Sequence, residues 1–262
     1  MLTPGGLTID YITTNNNNMN EHNTIEKMRR MRMNAMAALY HRSLTENLHS
    51  GETRDDFLAL LVDSEWEDRQ NRQIDGLIQR AGFRQAASAA DIDYLSPRNL
   101  DKNTFERILA LGFITRRENI ILTGPTGSGK SFLGQCIGMK ACQMLHKTQY
   151  YNTARFFDAA RLAKLEGSYH KLLKKISRCQ LLILDDFGLT AIDQAARNVL
   201  MDVIEDRYDR ASTILVSQIP VSEWHGLIGE STIADAILDR IVFSSHRIEL
   251  DGESFRKKNR IQ

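Results

Sequence analysis

The spacing of apolar positions changes twice along the chain. Within residues 1–24 the stretch TTNNNNMNEHNT is polar and low in complexity. It can bury almost nothing, so this start is expected to be disordered. From Ile25 to about Phe83, apolar residues recur at steps of three and four: Met28, Met31, Ala35 and Leu39, then Phe57, Leu60, Leu61, Ile74, Leu77 and Ile78. That spacing lays them on one face of a helix. Thr53 precedes an acidic first turn, as a helix N-cap does. Proline is absent. The pattern predicts a small bundle of about three helices over residues 25–84.

Residues 85–100, QAASAADIDYLSPRNL, are small, polar and proline-bearing, which is linker composition. Beyond them come short apolar or β-branched runs: NIILT, TQYYNT, LLILDDFG, STILVSQ and HRIEL. Helical stretches separate the first four. Strands alternating with helices predict an α/β fold, a parallel sheet with helices on both faces.

Composition narrows the class. The 262 residues are 42% hydrophobic and 26% charged, with a formal net charge of +1. No global field drives such a chain onto a polyanion, so any basic surface is local. Three cysteines, Cys136, Cys142 and Cys179, form no CxxC pair, which argues for reduced thiols in a reducing compartment. No apolar run approaches the ~20 residues of a membrane span. No basic region followed by an apolar core opens the chain. A cytoplasmic protein without a membrane partner is expected.

The chemistry lies in LTGPTGSGKS, residues 122–131. Gly124, Gly129, Lys130 and Ser131 fit G-x-x-x-x-G-K-[ST], the Walker A pattern. A strand-like run precedes it and a helix-like run follows. Glycines let backbone N–H groups approach phosphate oxygens, and the following helix adds its positive end. Gly124, Pro125, Thr126, Gly127, Ser128, Gly129, Lys130, Ser131 and Phe132 are the candidate ATP-binding residues. Lys130 is the phosphate cation, and Ser131 offers Mg2+ an oxygen.

LLILDDFG reads as a buried parallel strand with two carboxylates at its C-terminal end, where ligands bind in open α/β sheets. Asp185 is the expected magnesium carboxylate. Asp186 either orients the attacking water or caps a helix. The run TILVSQ ends in Ser217 and Gln218. A polar side chain there can bond the attacking water or the γ-phosphate. Arg240 follows in ADAILDRI. It is either a solvated surface arginine or a finger reaching the γ-phosphate of a neighbouring subunit.

Residues 154–178 carry seven basic residues against two acidic ones. Arg155, Lys171, Lys174, Lys175 and Arg178 are the candidate DNA contacts. They would bind phosphates with little reading of base sequence. A solvated helix face is the alternative. RKKNR near the C-terminus is a second basic candidate.

Taken together, GPTGSGKS, LLILDDFG, ILVSQ and ILDRI resemble the AAA+ ATPases. DDFG and the RIEL-DGESFRKKNR ending are similar to those of the IstB-like transposition helpers, relatives of DnaC-type helicase loaders. MRRMRMNAMAALY and FLALLVDSEWEDRQNRQIDGLIQRAGF resemble the helical N-terminal region of the same proteins. The resemblance spans roughly residues 25–260. It implies a P-loop AAA+ core over residues 101–262, preceded by the small all-helical domain. It also implies ATP and Mg2+ as cofactors, homo-oligomers on DNA and a transposase partner. On this pattern Asp185 and Asp186 serve magnesium and water, Gln218 is the sensor and Arg240 the finger. Two departures stand out. The second Walker B acid is aspartate where many AAA+ enzymes carry glutamate. The short stretch after the last strand leaves no room for a full helical lid, so Arg256 receives no role. A helicase loader, a small-molecule kinase and a nucleotide-switched scaffold are the rival readings.

Overall fold

The computed structural model describes residues 20–46, 48–49 and 51–252. The greater part of the polar start, residues 1–19, and the basic RKKNR ending with Arg256 lie outside the described residues. The chain divides into two compact units, Met1–Gln73 and Ile74–Gln262.

In the first unit, residues 20–30 form helix α1, followed by α2 (Asn34–Thr45) and the start of α3 (Arg54–Ala81). Thr53 Oγ1 accepts from the Asp56 N–H at 3.2 Å, so the predicted N-cap is present. α2 has no cap from its own residues. Glu65 of α3 supplies one, accepting from the Ala35 and Met36 N–H groups at 3.0 and 3.3 Å. Burial opposes the Glu65 charge, but Arg69 at 2.8 Å and the two backbone donors hold its carboxyl below the ordinary range. The predicted stripe breaks at one place. The chain turns at Arg32, whose φ is +61°, and this leaves Met31 exposed while Met36 and Ala37 take the buried positions.

The second unit holds a sheet that has five strands among the described residues: β1 (Asn119–Thr123), β2 (Thr148–Asn152), β3 (Leu181–Phe187), β4 (Ser212–Ser217) and β5 (Ser245–Glu249). All pairs are parallel, in the order β2-β3-β4-β1-β5. Each central strand is buried on both faces, as its unbroken apolar run requires. Ile120 and Leu122 face a core completed by Leu133 and Ile137 of α6 (Lys130–Gln143), together with α4 (Lys102–Leu109) and α5 (Gly112–Arg116). Ile121 faces the opposite core. That one is built by α7 (Thr153–Leu165), α8 (Tyr169–Ser177), α9 (Gln194–Arg207), α10 (Trp224–Ile228) and α11 (Ser231–Val242). In the stretch with linker composition, Ala87, Ile92 and Arg98 are buried. All three cysteines are buried free thiols. Among the described residues no helix is long and apolar enough to cross a membrane.

Candidate nucleotide site

Three adjacent strands, β3, β4 and β1, end at the same edge of the sheet, and their ends carry the motif residues. After β1 the chain turns through residues 124–129 into α6. Two glycines are dictated by contact as well as conformation. Gly124 has φ +141°, and a Cβ there would lie 2.3 Å from the Leu250 carbonyl oxygen. Gly129 has φ +92°, and its Cβ would lie 2.5 Å from Arg98 Nη1. Arg98 itself is buried. It donates to Ser128 O at 3.1 Å and Asp93 O at 2.8 Å, bracing the loop from behind. Lys130 is 5% exposed, with Nζ 2.6 Å from Pro125 O, so the ammonium lies across the crown of the loop.

β3 is distorted where its chemistry begins. Leu184 pairs with Leu215 and Phe187 with Ser217, so two residues, Asp185 and Asp186, oppose one. This bulge sets Asp186 in the left-handed region at φ +58°, a conformation aspartate tolerates better than most residues. The two carboxylates consequently part. Asp185 is fully buried and accepts from Ser131 Oγ at 2.9 Å, Tyr150 OH at 2.6 Å and the Asp186 N–H at 2.9 Å. Asp186 turns outward and accepts from Asn152 Nδ2 at 2.8 Å. Burial raises the Asp185 carboxyl above its ordinary range, and the Asp186 charge adds to the rise. The Tyr150 phenol is raised by its own burial and by Asp185.

A cavity of about 590 Å3 opens onto this edge. Thr126, Gly127, Gly129, Lys130, Ser131 and Phe132 line one side; Asp186 and Gln218 line the other. Thr126 Oγ1 donates to Gln218 Oε1, which ties the loop to the end of β4. Ser217 is turned inward, donating to Phe187 O at 2.7 Å. A buried carboxylate beside a hydroxyl is an oxygen donor set that fits a hard cation such as Mg2+, which binds through one or two protein oxygens and substrate phosphates. Among the described residues no cluster of three or more His, Cys, Asp or Glu could hold a metal by itself.

Other predicted residues lie elsewhere. Arg240, on α11, does not line this cavity. It is ion-paired to Glu205 at 2.9 Å, donates to Ala236 O and covers the Tyr208 ring at 5.7 Å. Arg155 sits in the first turn of α7, just after β2. Lys171, Lys174, Lys175 and Arg178 follow one another along α8 and its C-cap.

Residues 26–262 match the model of the IstB-like ATP binding protein family. The chain belongs to that family. It is 38% identical over 239 residues to a putative insertion sequence ATP-binding protein of Sinorhizobium fredii, covering 91% of this chain and 98% of that one. It is 28% identical over 205 residues to the insertion sequence IS21 putative ATP-binding protein of Pseudomonas aeruginosa, covering 78% and 77%. Among solved structures it is similar to DnaI, with TM-score 0.53 and 18% identity over 67% of this chain and 93% of that one. AMPPCP-bound DnaA from Aquifex aeolicus gives TM-score 0.55 and 18% identity over 64% and 51%. At these identities the likeness concerns fold alone, and it agrees with the parallel sheet and phosphate loop: an AAA+ core with a helical N-terminal region.

Several residues of this IstB-like site have no motif to announce them. Tyr150 and Asn152 hold the two Walker B carboxylates, and both come from β2, whose run TQYYN reads only as a strand. Gln135, within α6, is buried and accepts from the Arg84 and Gln85 N–H groups at 2.8 and 3.0 Å. That contact fastens residues 84–85 at the cavity wall. A glutamine inside a helix gives no hint of such a partner.

Proposed function

We propose that this chain hydrolyses ATP with Mg2+, assembles as a homo-oligomer on DNA, and helps a transposase select or remodel its target. The observation that carries the hydrolytic part is the pairing of Ser131 Oγ with Asp185 at 2.9 Å while Asp186 faces the same cavity from the next position. This geometry supports a reading in which one carboxylate serves the cation and the other the water. The insertion-sequence relatives support the transposition context.

In this reading the backbone of residues 124–131 and the Lys130 ammonium hold the phosphates. Ser131 and Asp185 hold Mg2+, which supplies charge neutralisation at the β- and γ-phosphates when bound. Asp186, held by Asn152, accepts a hydrogen bond from the attacking water and takes up its proton. Gln218, at the end of β4, orients that water or the γ-phosphate. Arg240 serves the site of a neighbouring copy. Arg155 of α7, with Lys171, Lys174, Lys175 and Arg178 of α8 and its C-cap, contacts DNA phosphates. The helical N-terminal region recruits the partner or supports assembly.

ATP turnover measured with and without duplex DNA, with particle size followed in the same samples, tests the proposal. DNA should raise both turnover and size. Turnover indifferent to DNA, by a particle that stays a monomer, overturns it.

A further inference from the structure

At the N-terminal end of β2, away from the phosphate loop, lies a second concavity of about 730 Å3. Six cations surround it: Arg80, Lys147, Lys171, Lys174, Lys175 and Arg178. They come from three separate segments, the end of α3, the turn before β2, and α8 with its C-cap. Among the described residues no carboxylate lines the cavity. Among the described residues, none of the six is ion-paired to an acidic side chain, whereas Arg69, Arg72, Arg116, Arg161 and Arg240 all are.

We propose that this groove is the seat of the DNA backbone, and that Arg80 and Lys147 belong to it as much as α8 does. The inference rests on the DNA-binding reading above and adds the place and two residues to it. Basic residues at the end of α8 complement the helix dipole, and that alone accounts for a few of them. It does not account for Lys147, which lies on no helix, or for the convergence of three segments on one hollow.

The dimensions agree with a polyphosphate. Lys171, Lys174, Lys175 and Arg178 are spaced i, i+3, i+4, i+7, one face of a helix, and span about 10 Å along its axis. Duplex DNA carries one charge per ~1.7 Å of axis counting both strands, so over that length each strand presents about three phosphates. Six cations suffice to meet one strand's backbone there. The floor is Thr148, Gln149, Cys179 and Leu77, with no aromatic anchor of the kind that dominates protein–protein hot spots. An acidic protein partner is therefore the weaker fit. The groove is also partly pre-set. Lys175 Nζ is 3.2 Å from Tyr151 OH, and Gln149 Nε2 donates to Arg80 O at 2.9 Å.

The test uses the full chain carrying Arg80→Gln and Lys147→Gln together, both exposed residues outside the 154–178 segment. Binding of a fluorescent duplex is followed by anisotropy across a salt series. The double variant should bind at least about tenfold more weakly, and its log–log salt slope should shrink by about two. ATP affinity should stay at the wild-type value, which reports an intact fold. Arg161→Ala, also basic and in the 154–178 segment but ion-paired away from the groove, should leave DNA affinity unchanged. Equal DNA binding by wild type and double variant overturns the groove while leaving DNA binding standing. A wild type that binds no duplex at all overturns the DNA reading itself. Polyglutamate competing as well as unlabelled duplex would assign the groove to an acidic protein and overturn the proposal.

Discussion

Tyr150 donates its hydroxyl to Asp185 Oδ2 over 2.6 Å, inside the protein and from the edge strand of the sheet. A buried carboxylate keeps its charge only as far as its donors allow. Burial raises the Asp185 pKa, and Tyr150 is the strongest influence pulling it back down. Tyr150→Phe removes that donor, so the pKa rises further. Mg2+ requires the ionised carboxylate, and its binding falls as pH drops through that pKa. The midpoint of Mg2+-dependent nucleotide binding against pH should therefore move upward in Tyr150→Phe. A hydrogen bond to a charged group contributes about 1.5–3 kcal/mol, enough for a shift of about one pH unit or more. An unmoved midpoint would separate Tyr150 from the cation site.

Asp185→Asn carries the opposite consequence for stability. The folded-state pKa of Asp185 lies above its unfolded value, so the group favours the fold at low pH and penalises it as pH rises through the folded pKa. The amide can keep the Ser131 and Asp186 donors on its oxygen and give its own N–H to Tyr150 OH. Without nucleotide, the variant should melt higher than wild type at pH 8, by about 2–4 °C for each 1 kcal/mol relieved. The gap should close as pH falls through the raised Asp185 pKa, where the wild-type carboxyl takes up its proton. The extra stabilisation that Mg2+ with ATP gives to wild type should be lost. A lower melting point at pH 8 would contradict the assignment of Asp185 as a strained charge.

Arg98 is the least foreseeable part of the loop's support. Its guanidinium joins Ser128 O to Asp93 O behind the phosphate loop. Truncation to alanine leaves those carbonyls without their donor, at about 1–3 kcal/mol for a buried group. Nucleotide affinity in Arg98→Ala should drop about tenfold, measured by titration calorimetry, while far-ultraviolet dichroism stays unchanged. Wild-type affinity would mean that the loop holds its shape without the brace.

What the sequence discloses follows from how local each feature is. The strands and the Walker A loop announce themselves because each pattern is contiguous in the chain. Asp185 and Asp186 are visible as a pair, but their separation into one buried and one outward carboxylate depends on a bulge in pairing with β4. Met31 belongs to a regular stripe in sequence and falls outside it in space, because a single turn at Arg32 resets the helix phase. Arg98 and Tyr150 act across the fold on Ser128 and Asp185, 30 or more positions away, and no periodicity encodes that.

Where the ATP-binding unit begins has a consequence that can be measured. Phe83 packs on Tyr150 with ring centroids 6.1 Å apart, and Leu77 and Ala81 cover Cys142. Gln135 takes its two donors from Arg84 and Gln85. A chain starting at Ile74 keeps all of these contacts and should bind ATP like the full chain. A chain starting at Ser88 loses them. It should melt lower and bind ATP more weakly. Equal behaviour of the two would show that residues 74–87 are dispensable for the nucleotide site.

Arg240 is held by Glu205 at 2.9 Å and lies over the Tyr208 ring. If it serves a neighbouring copy's γ-phosphate, the guanidinium must exchange the Glu205 carboxylate for that phosphate, and Glu205 competes with ATP for it. Glu205→Gln should then increase ATP-dependent assembly, because removing the competing carboxylate charge frees the cation. Arg240→Ala should bind ATP normally as a monomer but lose assembly and turnover. Loss of a trans-acting arginine of this kind costs on the order of a thousandfold in rate. Mixing Arg240→Ala with Asp186→Asn gives the decisive reading. In a mixed assembly some interfaces pair an intact Asp186 site with an intact Arg240, so activity should return in part although neither variant is active alone. No rescue, together with a wild-type chain fully active as a monomer, would reduce Arg240 to the partner of Glu205.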